Sequence, residues 1–209
     1  MTIIRNRFWI SGVLAALCGL LIVPALGADR KKRSAEEKKL EELDDLTRRL
    51  NRQAADAGLV DEQRFLHDRI GELLQTAREA PGDSYLFGRL DDAIDDLLDA
   101  SDELRDARRP RDNDDDDGDE DKDRERTARE LEQTYFRVTQ GDYFARQSRD
   151  AHGNDFVRTA QRLYQQARAA YDAREYRRAR HLADAAQEVI EGLENLAQAA
   201  VRIPEPPKL

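Results

Sequence analysis

Apolar residues return along this chain every three or four positions, in one narrow stripe per segment. Leu40, Leu43, Leu46 and Leu50 form the first stripe, with Ala54 and Ala57 after it. Phe65, Leu66, Ile70, Leu73, Leu74 and Ala77 form the second, and Phe87, Leu90, Ile94, Leu97, Ser101 and Leu104 the third. The pattern resumes with Leu131, Tyr135 and Val138. It continues with Phe156, Ala160, Leu163, Ala167 and Tyr171, then Tyr176, Ala179, Ala183, Ala186, Ile190, Leu193 and Ala197. That spacing is the signature of one face of an α-helix, and no segment shows the period-two alternation of a strand. The spacing predicts an all-α protein. A single narrow stripe cannot stabilise an isolated helix, so the helices must pack on one another.

Turn and cap signals divide the stripes. Ser34 with Glu37 three residues on reads as a capping box, and Gly58 can close that helix. Asp61 can cap the next, which ends at Pro81-Gly82; Ser84 starts a third, which Pro110 stops. Residues 110–123 carry no apolar side chain besides Pro110, and their like charges repel, so they read as a solvated, disordered linker. The fourth helix runs toward Gly141, Asn154 or Asp155 can cap the fifth, and the sixth begins near Glu175. The tail, 202–209, holds Pro204, Pro206 and Pro207 and should be extended. The expected organisation is therefore two antiparallel three-helix modules, 34–109 and 124–201, around the acidic linker. The halves read as a duplication: Leu40, Phe65 and Tyr85 match Leu131, Phe156 and Tyr176 at an offset of 91, and Leu90, Leu97 and Leu104 match Leu182, Val189 and Leu196 at 92.

The first 27 residues read as a signal helix. Arg5 and Arg7 precede an apolar run from Phe8 to Val23, and small Ala25 and Gly27 suit cleavage before Ala28. The run is 16 residues, short for a membrane span of about 20. An uncleaved anchor is the alternative, and only then does the chain contact a membrane. Leu17 before Cys18 does not suit a lipoprotein signal. Export implies a periplasmic or secreted protein.

Cleavage removes the only Cys, Met and Trp, namely Cys18, Met1 and Trp9. Thiolate zinc sites, cysteine nucleophiles and disulfides are then excluded. The formal charge is −9 for the whole chain and −11 without Arg5 and Arg7. From Ala28 onward Leu, Ile, Val and Phe make up 33 of 182 residues, which excludes a large mixed enzyme core. No nucleic-acid partner is expected from so acidic a chain. His67, His152 and His181 show no ligand spacing, and no serine lies in a GxSxG or SxxK motif. We expect neither an enzyme nor a cofactor or resident metal.

Residues Leu163, Tyr164, Ala167, Tyr171, Tyr176, Ala179, Ala183 and Ala186 resemble a tetratricopeptide helical hairpin, and Tyr143 and Tyr176 lie 33 apart, near that family's period. The resemblance covers about 129–197. It departs from the pattern at Arg168, where glycine is expected, and in lacking a closing proline. It implies helix pairs brought close by small alanines, and a protein-binding role.

Two charged surfaces stand out. Asp91, Asp92, Asp95, Asp96, Asp99 and Glu103 form an acidic patch on the third helix, with Asp102 and Asp106 beyond. Like charges four apart repel by roughly 0.2–0.5 kcal/mol per pair. The patch reads as a solvated face, or as a weak binder of divalent cations. Arg174, Arg177, Arg178 and Arg180 cluster at the start of the last helix, beside Tyr143, Tyr164, Tyr171 and Tyr176. These eight residues are the expected protein-binding surface of an interaction or scaffold protein. Acidic and basic patches on one chain also allow self-association. A periplasmic chaperone is the alternative, although Leu46-Thr47-Arg48-Arg49-Leu50 lacks the glutamine of an LTxxQ motif. The linker places Asn113, Asp115 and Asp117 at calcium-loop positions around Gly118, but Arg124 stands where the loop needs glutamate.

Overall fold

Two long amphipathic hairpins and two flanking helices account for almost every described residue. The computed structural model describes residues 24–55, 60–110 and 120–201, with side chains from residue 35 onward. The helices are α1 (Pro24–Ala54), α2 (Asp61–Glu79), α3 (Ser84–Asp106), α4 (Glu120–Ser148), α5 (Gly153–Asp172) and α6 (Tyr176–Ala200). No strand occurs among the described residues, and the fold is all-α. The signal run, Gly58, the linker residues 111–119 and the tail 202–209 lie outside the described residues. Residues up to Ala35 form one unit, and those from Glu36 onward another.

Within the second unit α6 is the central helix. It packs against α3, α4 and α5; α4 also packs on α5, and α2 on α3. One continuous core runs from Leu43 through Leu66, Ile70, Ile94 and Leu97 to Phe156, Leu163, Val189, Ile190 and Leu193. The two sets of three helices therefore share their apolar interior. Burial follows a matched register. Each of the nine buried residues of α3, from Phe87 to Leu104, falls on a buried residue of α6 when 92 is added. Most of the buried positions of α2 fall on buried positions of α5 when 90 is added. Phe65 and Phe156 meet edge to face, 5.2 Å between ring centres.

Small residues set how closely helices approach. A Cβ on Gly192 would lie 3.1 Å from the Leu97 side chain and 3.3 Å from the Ala93 carbonyl oxygen. A Cβ on Gly141 would lie 2.9 Å from Cδ1 of Ile190 and 3.2 Å from Val157. Gly141 does not end the fourth helix, which runs through it to Ser148.

Several boundaries differ from the sequence reading. α1 begins at Pro24, a residue suited to the first helical position, so Ser34 lies inside the helix. The cap of α3 is Asp83, whose carboxylate accepts from the Leu86 N–H at 3.0 Å; Ser84 is the first helical residue. Asp61 also lies inside its helix, after Val60, and α5 starts at Gly153, after His152. Glu120–Asp123, the last residues of the expected linker, are the first turn of α4, where acidic side chains favour the positive end of the helix dipole. Leu40, expected on the core face, is 42% exposed: α1 buries Leu43 fully and packs Leu46 and Leu50 partly against the core.

Candidate functional site

α4 turns an aromatic edge outward. Tyr135, Phe136 and Tyr143 are each at least half exposed, at 50, 58 and 57%. They are spaced so that Tyr135 touches Phe136 (5.9 Å between ring centres) and Tyr143 touches Phe144 (5.6 Å). Core-facing positions of the same helix, Leu131, Thr134, Val138 and Gly141, are buried. The outer side of this otherwise charged helix thus carries exposed aromatic rings as well, a kind of surface that soluble monomers keep small.

Between α4 and α5 the exposed edge deepens into a groove of about 420 Å³. Leu131 forms its floor; Tyr135, Tyr164 and Tyr171 form its aromatic walls, with Glu132 and Arg168 at its rim. Tyr135 and Tyr164 lie 5.9 Å apart across it. The Arg168 guanidinium donates to the Tyr164 hydroxyl at 3.5 Å.

A second cavity, of about 720 Å³, opens where the ends of α3, α4, α5 and α6 meet. Arg174, Tyr176, Arg177, Arg178 and Arg180 line it, facing Arg109, Arg126, Asp106, Asp123, Glu130, His181 and Asp184. Arg180 pairs with Asp123 at 3.1 Å and Arg178 with Glu175 at 2.8 Å. Arg174 sits in the α5–α6 turn at φ 64°, a left-handed conformation that costs a non-glycine residue energy. Tyr171 of the groove and Tyr176 of the cavity touch at 5.5 Å. The structure therefore distributes the expected binding residues over two adjoining surfaces: Tyr164 and Tyr171 in the groove, and Arg174, Tyr176, Arg177, Arg178 and Arg180 in the cavity. Tyr143 stands further along the exposed edge of α4. Tyr135 and Arg168 also belong to the groove but were not among the eight expected binding residues, although Arg168 stands four residues after Tyr164 and three before Tyr171, on one helical face.

The acidic patch has other partners than the arginine cluster. Arg49 of α1 reaches Asp95 at 2.8 Å, Asp102 at 2.8 Å, and Asp99 between them. Arg89 pairs with Asp92 at 3.3 Å. Glu103 meets the basic segment, through Nδ1 of His181 at 2.6 Å. Asp91 is held up to about 6 by burial, with Glu42, Asp92 and Asp95 adding repulsion.

Asp96 turns toward α6. There the carboxylate oxygens of Asp96, Glu188 and Glu191 lie within 4.8 Å of one another. Burial, then the carboxylates of Glu191, Asp96, Asp99 and Asp184, raises Glu188 to about 8. Burial raises Asp96 to about 6, against the Asn195 amide donating to it at 2.8 Å. Asp184 is raised to about 6, chiefly by burial. Glu188 and Glu191 were not foreseen, although the offset of 92 marks them: it carries Asp96 to Glu188 and Asp99 to Glu191.

The histidines stay apart. His67 is buried with Nε2 2.9 Å from Oγ of Ser101, and His152 has its Nδ1 3.2 Å from Asp155. Ser101 and His67 form a serine–histidine pair, with Ser101 1% exposed toward the C-terminal end of α3. No family model, curated protein or solved structure matches this chain.

Proposed function

We propose that the protein is an exported, non-enzymatic interaction protein that binds a protein partner through α4, α5 and the start of α6. The observation behind this reading is the exposed aromatic edge Tyr135, Phe136 and Tyr143, continuous through Tyr164, Tyr171 and Tyr176 with an arginine-lined cavity. Aromatic and arginine side chains dominate protein-binding hot spots. Export rests on Arg5, Arg7, the apolar run and the small residues before Ala28. No helix among the described residues is long and apolar enough to cross a membrane. The α2–α3 and α5–α6 hairpins are read as copies of one ancestral hairpin, an idea supported by their matched burial. The tetratricopeptide likeness of the second hairpin remains part of this proposal.

The test places a photo-cross-linking amino acid at Tyr143 of the full chain in its native host, with Gln75 on the exposed face of α2 as control. A discrete adduct from position 143 and none from 75 is expected. No adduct from either Tyr143 or Phe136 overturns the reading.

A second reading, binding of a divalent cation, has one observation behind it: the convergence of Asp96, Glu188 and Glu191. An all-oxygen set suits calcium, magnesium or manganese. Calorimetric titration with calcium and magnesium tests it, and absence of heat at millimolar ion removes it.

A further inference from the structure

The aromatic groove and the chain's own tail have matching chemistry. The groove offers Tyr135, Tyr164 and Tyr171 around Leu131, with one carboxylate, Glu132, and one guanidinium, Arg168, at its rim. The tail reads Ile203-Pro204-Glu205-Pro206-Pro207-Lys208. Pro204 and Pro207 make a P-x-x-P repeat, followed directly by one cation and interrupted by one anion. A proline-rich segment is pre-set to the extended polyproline helix, so it loses little conformational entropy on docking. Aromatic-lined grooves are the surfaces that take such segments. Glu205 and Lys208 supply the charges opposite to Arg168 and Glu132.

Reach decides which tail can occupy which groove. Tyr171 touches Tyr176, the first residue of α6. Thr134, next to Tyr135, donates to the carbonyl oxygen of Ala183 at 3.5 Å. The groove therefore lies alongside the first third of α6. Val201 follows the other end of that helix. The 18 residues from Ala183 to Val201 span about 27 Å at 1.5 Å per residue. Pro204 and Pro207 stand three and six residues beyond Val201, which allows at most about 11 and 22 Å of extended chain. The repeat cannot turn back and fill the groove of its own chain.

We propose that the α4–α5 groove binds the proline-rich segment 203–208 of a second copy of this chain, so that the protein associates with itself by tail exchange. The proposal rests on the binding surface described under the proposed function and names its occupant. Each copy offers this groove and this tail, so exchange closes into a symmetric dimer or propagates head to tail.

The experiment uses the full chain with Pro204→Ala and Pro207→Ala as receptor, so that its own tails do not compete. A synthetic peptide of residues 202–209 is titrated into it by calorimetry. Saturable binding is expected, weakened at least tenfold by Tyr135→Ala and retained within about twofold by Tyr135→Phe. Tyr135 is half exposed, so its removal leaves the fold in place, and circular dichroism checks this. Sedimentation of the unsubstituted chain should show concentration-dependent association that the double proline variant loses. No heat with millimolar peptide overturns the proposal, as does equal binding to the Tyr135→Ala receptor. Cross-linking from Tyr143 separates that failure from failure of the broader reading. An adduct with another protein, alongside a silent peptide, overturns tail exchange and leaves the partner-binding surface standing. A silent peptide together with no adduct overturns both.

Discussion

Arg49 of α1 donates from Nη2 to both Asp99 and Asp102 of α3, the latter at 2.8 Å, and from Nη1 to Asp95 at 2.8 Å. One cation thus holds three of the carboxylates on the acidic face of α3. α1 also meets α2 and α3 through Leu43, Leu46 and Leu50 on the core, the Gln53 amide donating to the Leu98 carbonyl, Lys39 donating to the Pro81 carbonyl, and Arg78 of α2 reaching Asp44 at 3.0 Å and Thr47 at 2.9 Å. Arg49→Met should therefore loosen α1 and leave Asp95 and Asp99 without this cation, while Asp102 keeps Arg105 at 2.8 Å. We expect a loss of about 1–2 kcal/mol, larger than a single exposed pair contributes, because one side chain serves three partners. Urea denaturation of the full chain measures it, and the loss should shrink at high salt, where the residual repulsion is screened.

Four partly buried carboxyls should make stability rise as pH falls from about 8 toward about 6.5, the ordinary histidine value at which His67 begins to oppose them. Glu188 is raised to about 8, and Asp91, Asp96 and Asp184 to about 6, in each case mainly by burial. A carboxyl with a raised folded pKa binds more protons folded than unfolded between its two pKa values. The linkage slope is then negative: the penalty of ionisation is complete above the folded pKa and absent below the unfolded one. Glu188→Gln removes the uppermost part of that window. The variant should melt at a higher temperature than the parent at pH 8, with the difference vanishing near pH 5. Calorimetric melting at the two pH values checks this. A saturating divalent cation that bound the same carboxylates would flatten the slope in the parent only.

The glycines separate into two classes. Gly192→Ala places a methyl 3.1 Å from Leu97 and 3.3 Å from the Ala93 backbone, where α6 packs on α3. Overpacking of this kind costs about 1–3 kcal/mol. Gly71 lies in α2 with nothing within 4 Å of an added Cβ, so Gly71→Ala should stabilise by up to about 1 kcal/mol through helix propensity alone. Opposite signs in denaturant midpoints are the expected outcome.

Helix positions were readable because burial in an α-helix repeats with its own period. Leu90, Ile94, Leu97 and Leu104 announced the core face of α3, and all are buried. What faces what was less readable. Periodicity says that Tyr135 lies near the stripe of α4, but only the position of α5 decides that its ring borders a groove instead of the core. Arg49 appears in sequence as one base in a charged helix, and its three aspartates lie 46 to 53 residues away. The cluster of Asp96 with Glu188 and Glu191 joins positions about 90 residues apart. The matched register of the two hairpins contained that pairing, since helices with equivalent buried faces that pack on each other also bring equivalent acids together.

His67 carries the last prediction. Its ring is buried between α2 and α3, with Nε2 2.9 Å from Oγ of Ser101 and Nδ1 without a hydrogen-bond partner. Burial lowers its pKa from the ordinary histidine value, against the pull of Asp68 and Asp102. A histidine kept neutral in the fold binds fewer protons folded than unfolded, so its contribution is present above pH 6.5 and is lost as pH falls below that value. This opposes the carboxylates, and the stability curve should flatten or turn over on the acid side. Ser101→Ala strands Nε2 as well and should cost about 1–3 kcal/mol at pH 7. His67→Leu removes the titrating group. In that variant stability should keep rising on acidification where the parent levels off, and melting temperatures between pH 7 and pH 5 distinguish the two. Parallel curves for parent and variant across that range would show that His67 is not the group opposing the carboxylates.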